Sequence, residues 1–319
     1  MNNLDKSRFV AESLTSAINK SSIQFRKANK KLLKSLADSM DYDRFNSIMI
    51  EAVAGSIKVI DDWEQKSYAE LDGLTPRQYF DSLCTVEDIV ELISIIEEKN
   101  GGILPLGLYE RIKTLDTTFS DDLLNILESI QLGEEKCFTS KQKAIVKIAE
   151  ILALPKFMNA LIHIIYQLDD QKSDEDTITR VMNAIREIGE SALEPLINLV
   201  ENSYKKGRLY GYLILTVAKI ASKNRSERIY RLLKDYFRKS ETKIIEASAL
   251  SIYGDGRAIP AIRGYVERNL EDLSYWEYSQ LRNAVLLLGG DMSDLDEYFD
   301  DYDEFDEFDE YDEFDESDE

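Results

Sequence analysis

The side chains able to do covalent or acid–base chemistry are few, and they stand apart from one another. One histidine, His163, and two cysteines, Cys84 and Cys137, occur in 319 residues. His163 sits in the apolar run Ala160-Leu161-Ile162-His163-Ile164-Ile165 without a nucleophile or a carboxylate beside it. Acid–base work by histidine needs positioned partners, so a hydrogen-bonded structural role is the simpler reading. The two cysteines lie 53 residues apart with no second pair, which makes neither a disulfide framework nor a zinc site; two ordinary buried thiols are expected. No catalytic residue, metal ligand or cofactor is assigned, and the chain is not read as an enzyme.

What the sequence does offer is charge. The formal net charge is -22, but residues 294–319 hold 17 Asp and Glu and no Lys or Arg. The body before them carries 39 basic against 44 acidic groups, a net of -5. Within the body, residues 203–270 reverse the sign, with 15 basic against 6 acidic groups. In the segment 227–239, Ile229, Leu232, Leu233 and Tyr236 recur at helical spacing as a packing stripe, while Arg228, Arg231, Lys234, Arg238 and Lys239 share an arc of roughly 140° to one side. Arg228, Arg231, Lys234 and Arg238, with Arg263 further along, are the candidate partner-binding residues. A second cluster, Lys20, Arg26, Lys27, Lys30, Lys31 and Lys34, has no acid between its ends. It reads as a solvated helix face or as a docking surface for something acidic.

The elements that position these charges are helices. Only 14 Gly and 5 Pro occur, too few for a fold rich in strands and turns, and 44% hydrophobic content is ample for a core. Residues 4–40 predict one or two helices with a break at Ser21-Ser22. Residues 45–68 predict another, with Ile48, Ala52, Val53, Ile57 and Ile60 as its buried stripe. Capping boxes open helices at Thr75, Thr139, Ser191 and Ser274, Thr85 opens one that ends at Asn100-Gly101-Gly102, and Ser120 caps a shorter one.

From residue 178 to 290 short helical segments align on a small anchor: Ile188-Gly189, Ile220-Ala221, Tyr253-Gly254 and Leu288-Gly289. The anchors are 32, 33 and 35 residues apart, and Ile148-Ala149 fits the frame 40 residues earlier. Six residues after an anchor, Pro155, Pro195 and Pro260 mark the start of a second helix, where proline's missing N–H does no harm. Such a period is the signature of stacked helical hairpins, none of which can bury its apolar face alone. Leu250 and Leu286 are expected in the layer between hairpins. Gly254-Asp255-Gly256, which could suggest a phosphate turn, becomes an inter-helix connection.

These anchors and prolines, with Gly254-Asp255-Gly256-Arg257-Ala258-Ile259-Pro260, resemble HEAT and HEAT-like repeats of the kind also found in phycobilin lyases, over about residues 140–293. The resemblance implies an all-α solenoid. It also implies that second helices line a concave groove, which would turn the arc of residues 228–239 into that groove. The expected organisation is an N-terminal helical region over 1–115, a repeat array over 116–293 and a disordered acidic tail over 294–319. In the tail Phe299, Tyr302, Phe305, Phe308, Tyr311 and Phe314 recur every third residue, a period that neither a helix nor a strand can bury on one face.

The functional expectation is a cytoplasmic interaction scaffold that holds an acidic protein segment in a basic groove, with the tail as competitor or second binding element through an intramolecular contact. The alternative is a nucleic-acid-binding repeat protein regulated by a nucleic-acid-mimicking tail. A lyase-type enzyme is the third class. No apolar run is long enough to suggest a membrane span.

Overall fold

The structure, a computed structural model, describes residues 2–39, 42–202, 207–241 and 243–299; the side chains of 33–39, 42, 43, 45 and 46 lie outside that description. The described residues are all-α, with no strand among them. They fall into two compact units, Met1–Gly189 and Glu190–Glu319. The first holds α1 (Asn3–Ser39), α2 (Tyr42–Glu64), α3 (Pro76–Ser82), α4 (Val86–Asn100), α5 (Leu106–Lys113), α6 (Thr117–Glu128), α7 (Ser140–Leu152), α8 (Met158–Gln167) and α9 (Glu175–Ile188). The second holds α10 (Leu193–Asn202), α11 (Arg208–Ala221), α12 (Glu227–Lys239), α13 (Ile244–Tyr253), α14 (Ile259–Arg268), α15 (Tyr275–Leu287) and the single turn α16 (Ser293–Asp296).

Helix ends follow local chemistry. The boxes Thr75/Gln78, Thr139/Gln142 and Ser274/Glu277 are complete, each hydroxyl accepting the third backbone N–H and each third side chain returning the bond. The anchors fall at helix ends as the period requires. Gly254 closes α13 in the left-handed region at φ 78°, which glycine enters at little cost, and α11 ends on Ala221 itself. Pro155 opens the 3-10 turn before α8, and Pro260 lies in the first turn of α14.

In each unit helices two or three places apart in sequence lie side by side. In the first, α4 packs between α1 and α7, and α7 packs on α9, with α2, α5, α6 and α8 against them. In the second, α13 packs between α11 and α15, while α10, α12 and α14 pack on α11, α13 and α15 respectively. Ile89, Leu92, Ile93 and Ile96 of α4 and Leu213, Ile214, Ala247 and Leu250 of α11 and α13 have no exposed surface. One polar contact pins a layer to its neighbour: the buried Tyr253 hydroxyl accepts from the Ser226 N–H and donates to the Ser226 carbonyl, both at 2.8 Å. It thereby ties the end of α13 to the residue that caps α12.

Several expectations are corrected. α1 runs through Ser21-Ser22 without a break, because consecutive serines weaken a helix but do not interrupt one whose inner face is packed. Asp116, not Ser120, caps α6, and Ser120 is buried inside that helix. Ser191 lies in the 3-10 turn 189–192 and opens no capping box there. Cys84 is exposed and Cys137 half-buried, neither of them a core thiol. Of the residues assigned to the tail, Phe299 is instead buried, 3% exposed and stacked on Tyr278 with ring centroids 4.1 Å apart, and Asp294 and Asp296 are in ion pairs with Arg263 and Arg282. The rest of the tail, 300–319, lies outside the described residues.

Leu250 is fully buried, whereas Leu286 is 41% exposed near the end of α15, where Ala284 and Val285 face inward instead. Leu250→Asp should therefore lose at least about 3 kcal/mol of stability, because an unpaired carboxylate replaces a packed side chain. Leu286→Asp should lose less than about 1 kcal/mol, the scale of a surface change near a helix C-terminus. Urea denaturation of both variants checks the pair, and equal losses would contradict this placement of the layer.

Candidate functional site

The helix carrying the predicted arc, α12, buries Ile229, Tyr230, Leu233 and Phe237. Its cations stand outward, but carboxylates already meet most of them. Arg228 forms a two-pronged ion pair with Glu194 at the start of α10. Arg231 donates to Glu227 at 2.9 Å, and Arg238 lies 3.7 Å from Asp235. Lys234 lies over the Tyr230 ring at 5.8 Å. Arg263 is held by Glu267, by the Asp291 carbonyl and by Asp294. Arg257, which was not among the candidate residues, bridges Asp255 and Glu227 and lies over the Tyr230 ring at 4.2 Å. These pairs hold Glu194, Glu227, Asp255 and Asp294 below the usual carboxylate range, since each accepts hydrogen bonds from an arginine. Of the five candidate residues, Arg228, Arg231, Arg238 and Arg263 thus stand in ion pairs and Lys234 in a ring contact.

The cluster on α1 is different. Lys20, Arg26, Lys27, Lys30 and Lys31 are exposed, and among the described residues no ion pair joins any of them to a carboxylate. At 100° per residue they share an arc of roughly 140°, on the side opposite the buried Val10, Ala11 and Leu14. Ile23, 52% exposed, lies in the middle of that arc. A shallow groove of about 680 Å³ runs past Lys20, Ile23 and Lys27 to Lys99 at the end of α4.

α2 packs on α1 and adds an apolar face. Of its expected buried stripe, Ile48 is buried, but Val53 and Ile57 are 57% and 62% exposed, and with Met49 and Ile50 they form a row open to solvent. The periodicity was correct for a helix, but α2 has apolar residues over a wider angle than α1 can cover. Trp63 takes the inward position, its indole N–H donating to Ser13 at 3.2 Å.

The buried charges serve structure. Glu97, nearly inaccessible on α4, receives both terminal nitrogens of Arg180 from α9 at 2.8 and 2.9 Å. Glu64 is fully buried and accepts the Gly107 N–H at 2.8 Å, satisfying a donor at the open start of α5. A β-carbon at position 107 would come within 2.8 Å of that carboxylate. His163 is exposed on α8. Among the described residues no group of three or more His, Cys, Asp or Glu is placed to hold a metal ion. No described helix is long and apolar enough to cross a membrane.

No family model, no curated protein and no solved structure matches this chain. The resemblance to HEAT-like repeats therefore stands on the recurring anchors and prolines alone.

Burial pushes the Glu64 carboxyl above its ordinary value of 4.5, against the opposing pull of the Gly107 N–H and the Arg77 guanidinium. The folded protein then keeps this proton to a higher pH than the unfolded chain does. Its contribution to stability is greatest below the ordinary value and is lost as pH rises through the raised one. Glu64→Gln should flatten that part of the pH dependence of the urea midpoint, leaving the variant at least as stable as the parent at neutrality. A variant with the parent's slope would show that Glu64 titrates normally.

Proposed function

We propose that this chain is a protein-interaction scaffold, an α-solenoid of HEAT-like hairpins, and that it binds an acidic segment of a protein partner. The supporting observation is that α1 and α2, packed together, present unneutralised cations and an uncovered apolar row. Coulomb attraction at an exposed helix is modest and screened beyond about 8 Å at physiological salt, so affinity must come from burying Met49, Ile50, Val53 and Ile57 as well. An acidic segment carrying large apolar residues satisfies both demands. A nucleic-acid backbone would answer the cations and leave the apolar row wet. The arc on α12 is the weaker candidate because its arginines are already paired.

The chain's own residues 300–319 have the required composition, acids with an aromatic at every third position. In this reading they compete with the partner for its site, and they provide a probe. A labelled peptide of residues 300–319 should bind the full chain, weakening as salt is added. The charge reversals Lys27→Glu and Lys31→Glu together should cost at least tenfold in affinity, as should Ile50→Ser with Ile57→Ser, while Arg228→Glu should leave binding unchanged. Fluorescence anisotropy against the peptide and against an oligonucleotide of equal charge separates the readings. Tighter oligonucleotide binding that ignores the α2 substitutions would favour nucleic acid, and loss only with Arg228→Glu would return the site to α12.

A further inference from the structure

On the flank of α12 away from Arg231 and Lys234, the second unit contains a cavity of about 880 Å³ between the ends of α10 and α12 and the starts of α11 and α13. Leu232 and Tyr236, which the helical period assigns to the packing stripe, face this space. Its lining is acidic. Among the described residues that line it, Glu201, Asp235, Glu241 and Glu246 contribute carboxylates and Lys239 an ammonium, while Arg238 lies 3.7 Å from Asp235. The last turns of α10 and α12 supply Glu201, Tyr236 and Lys239, so the negative ends of two helices also point here.

The distinctive group is Glu246. It is 2% exposed, in the first turn of α13, and one carboxylate oxygen accepts the Tyr210 hydroxyl at 3.0 Å. The other oxygen is buried and has no hydrogen-bond partner among the described residues, and the same holds for the Tyr236 hydroxyl. Tyr210 and Tyr236 meet edge to face with ring centroids 6.3 Å apart. Lys243, the nearest cation in sequence, acts on Glu246 by its charge but makes no hydrogen bond to it: its Nζ donates to the carbonyls of Arg238 and Ser240 and lies 5.6 Å from the rings of Phe237 and Tyr265. A buried carboxylate oxygen without a donor is costly, and so is a buried hydroxyl without a partner. Native proteins complete such groups with ordered water, an ion or a ligand.

We infer that this cavity is a binding site for an organic cation, an alkylammonium group whose N–H bonds satisfy Glu246 and the Tyr236 oxygen. Tyrosine faces attract a cation, and Val200, Leu232 and Ile245 give an alkyl stem apolar walls. The volume suits a chain of several carbons and is large for a bare metal ion. The site is separate from the acidic-segment surface on α1 and α2 and opposite to it in sign, so either can fail without the other. The Tyr210 hydroxyl is held protonated by burial and by the adjacent carboxylate. Burial and Glu201 push that of Tyr236 up to about 12, so both stay neutral near pH 7.

The experiment is calorimetric titration of the full chain with n-butylammonium, n-butanol and a lysine-containing neutral peptide. Butylammonium should bind at least tenfold more tightly than butanol, and Glu246→Gln should remove that preference while Tyr236→Phe reduces it. Circular dichroism establishes that each variant is folded; if Glu246→Gln is not, Asp235→Asn at the rim should still weaken butylammonium severalfold and leave butanol unchanged. A peptide that binds at least tenfold more tightly than butylammonium assigns the site to a partner's lysine, and one that binds no better assigns it to a free amine. Equal binding of butylammonium and butanol would overturn the proposal, as would a folded Glu246→Gln that keeps the preference.

Discussion

A helix in the middle of a layer must satisfy neighbours on both sides, and the rest of this structure depends on how that demand is met. α13 lies between α11 and α15 with α12 behind it, so its surface cannot divide into one apolar and one polar half. Its sequence, Ile-Ile-Glu-Ala-Ser-Ala-Leu-Ser-Ile-Tyr, answers with small and apolar residues nearly all round. Close approach is part of the answer. Gly211 on α11 has no side chain, and a β-carbon there would stand 3.1 Å from the Ile245 methyl on α13. The outer helices are freer, which is why charge collects on α1 and α12.

Charge on those outer helices has two fates, and sequence counting does not separate them. Asp121 with Lys156, Glu194 with Arg228, and Glu227 with Arg257 each join the start of one outer helix to the start of the next. These exposed pairs add little stability one by one, but Glu194 and Asp294, both outside residues 203–270, occupy two of the cations that make that stretch basic. Among the described residues no ion pair joins Lys20, Arg26, Lys27, Lys30 or Lys31 of α1 to a carboxylate. A net charge over a window is therefore a poor guide to an attractive surface, because a carboxylate some thirty residues away can cancel it.

The hairpin ends were legible because they depend on local chemistry: Gly254 at a left-handed position, Pro260 in a first turn, and Ser274 paired with Glu277 can each be seen within a few residues. Which face of a helix is covered was less legible. Val53, Ile57 and Leu286 obey the helical period as well as any core residue does, yet they stand exposed, since coverage depends on the width of a neighbouring helix. Leu232 and Tyr236 failed for the same reason and line a cavity instead. Glu246 left no trace at all, because a single acid in an apolar helix has the same sequence signature whether it is a ligand-binding group or a tolerated exception.

The residues just after α15 carry a consequence beyond their own packing. Phe299 lies flat on Tyr278, Asp296 takes both the Tyr278 hydroxyl and Arg282, and Asp294 takes Arg263. The opening residues of an extremely acidic stretch thus act as a hydrophobic seal on α15, the last long helix among the described residues. Two stop codons a few positions apart would then produce different lesions. A chain ending at 293 loses its seal and opens the last layer to water, while one ending at 299 keeps the seal and sheds only charge.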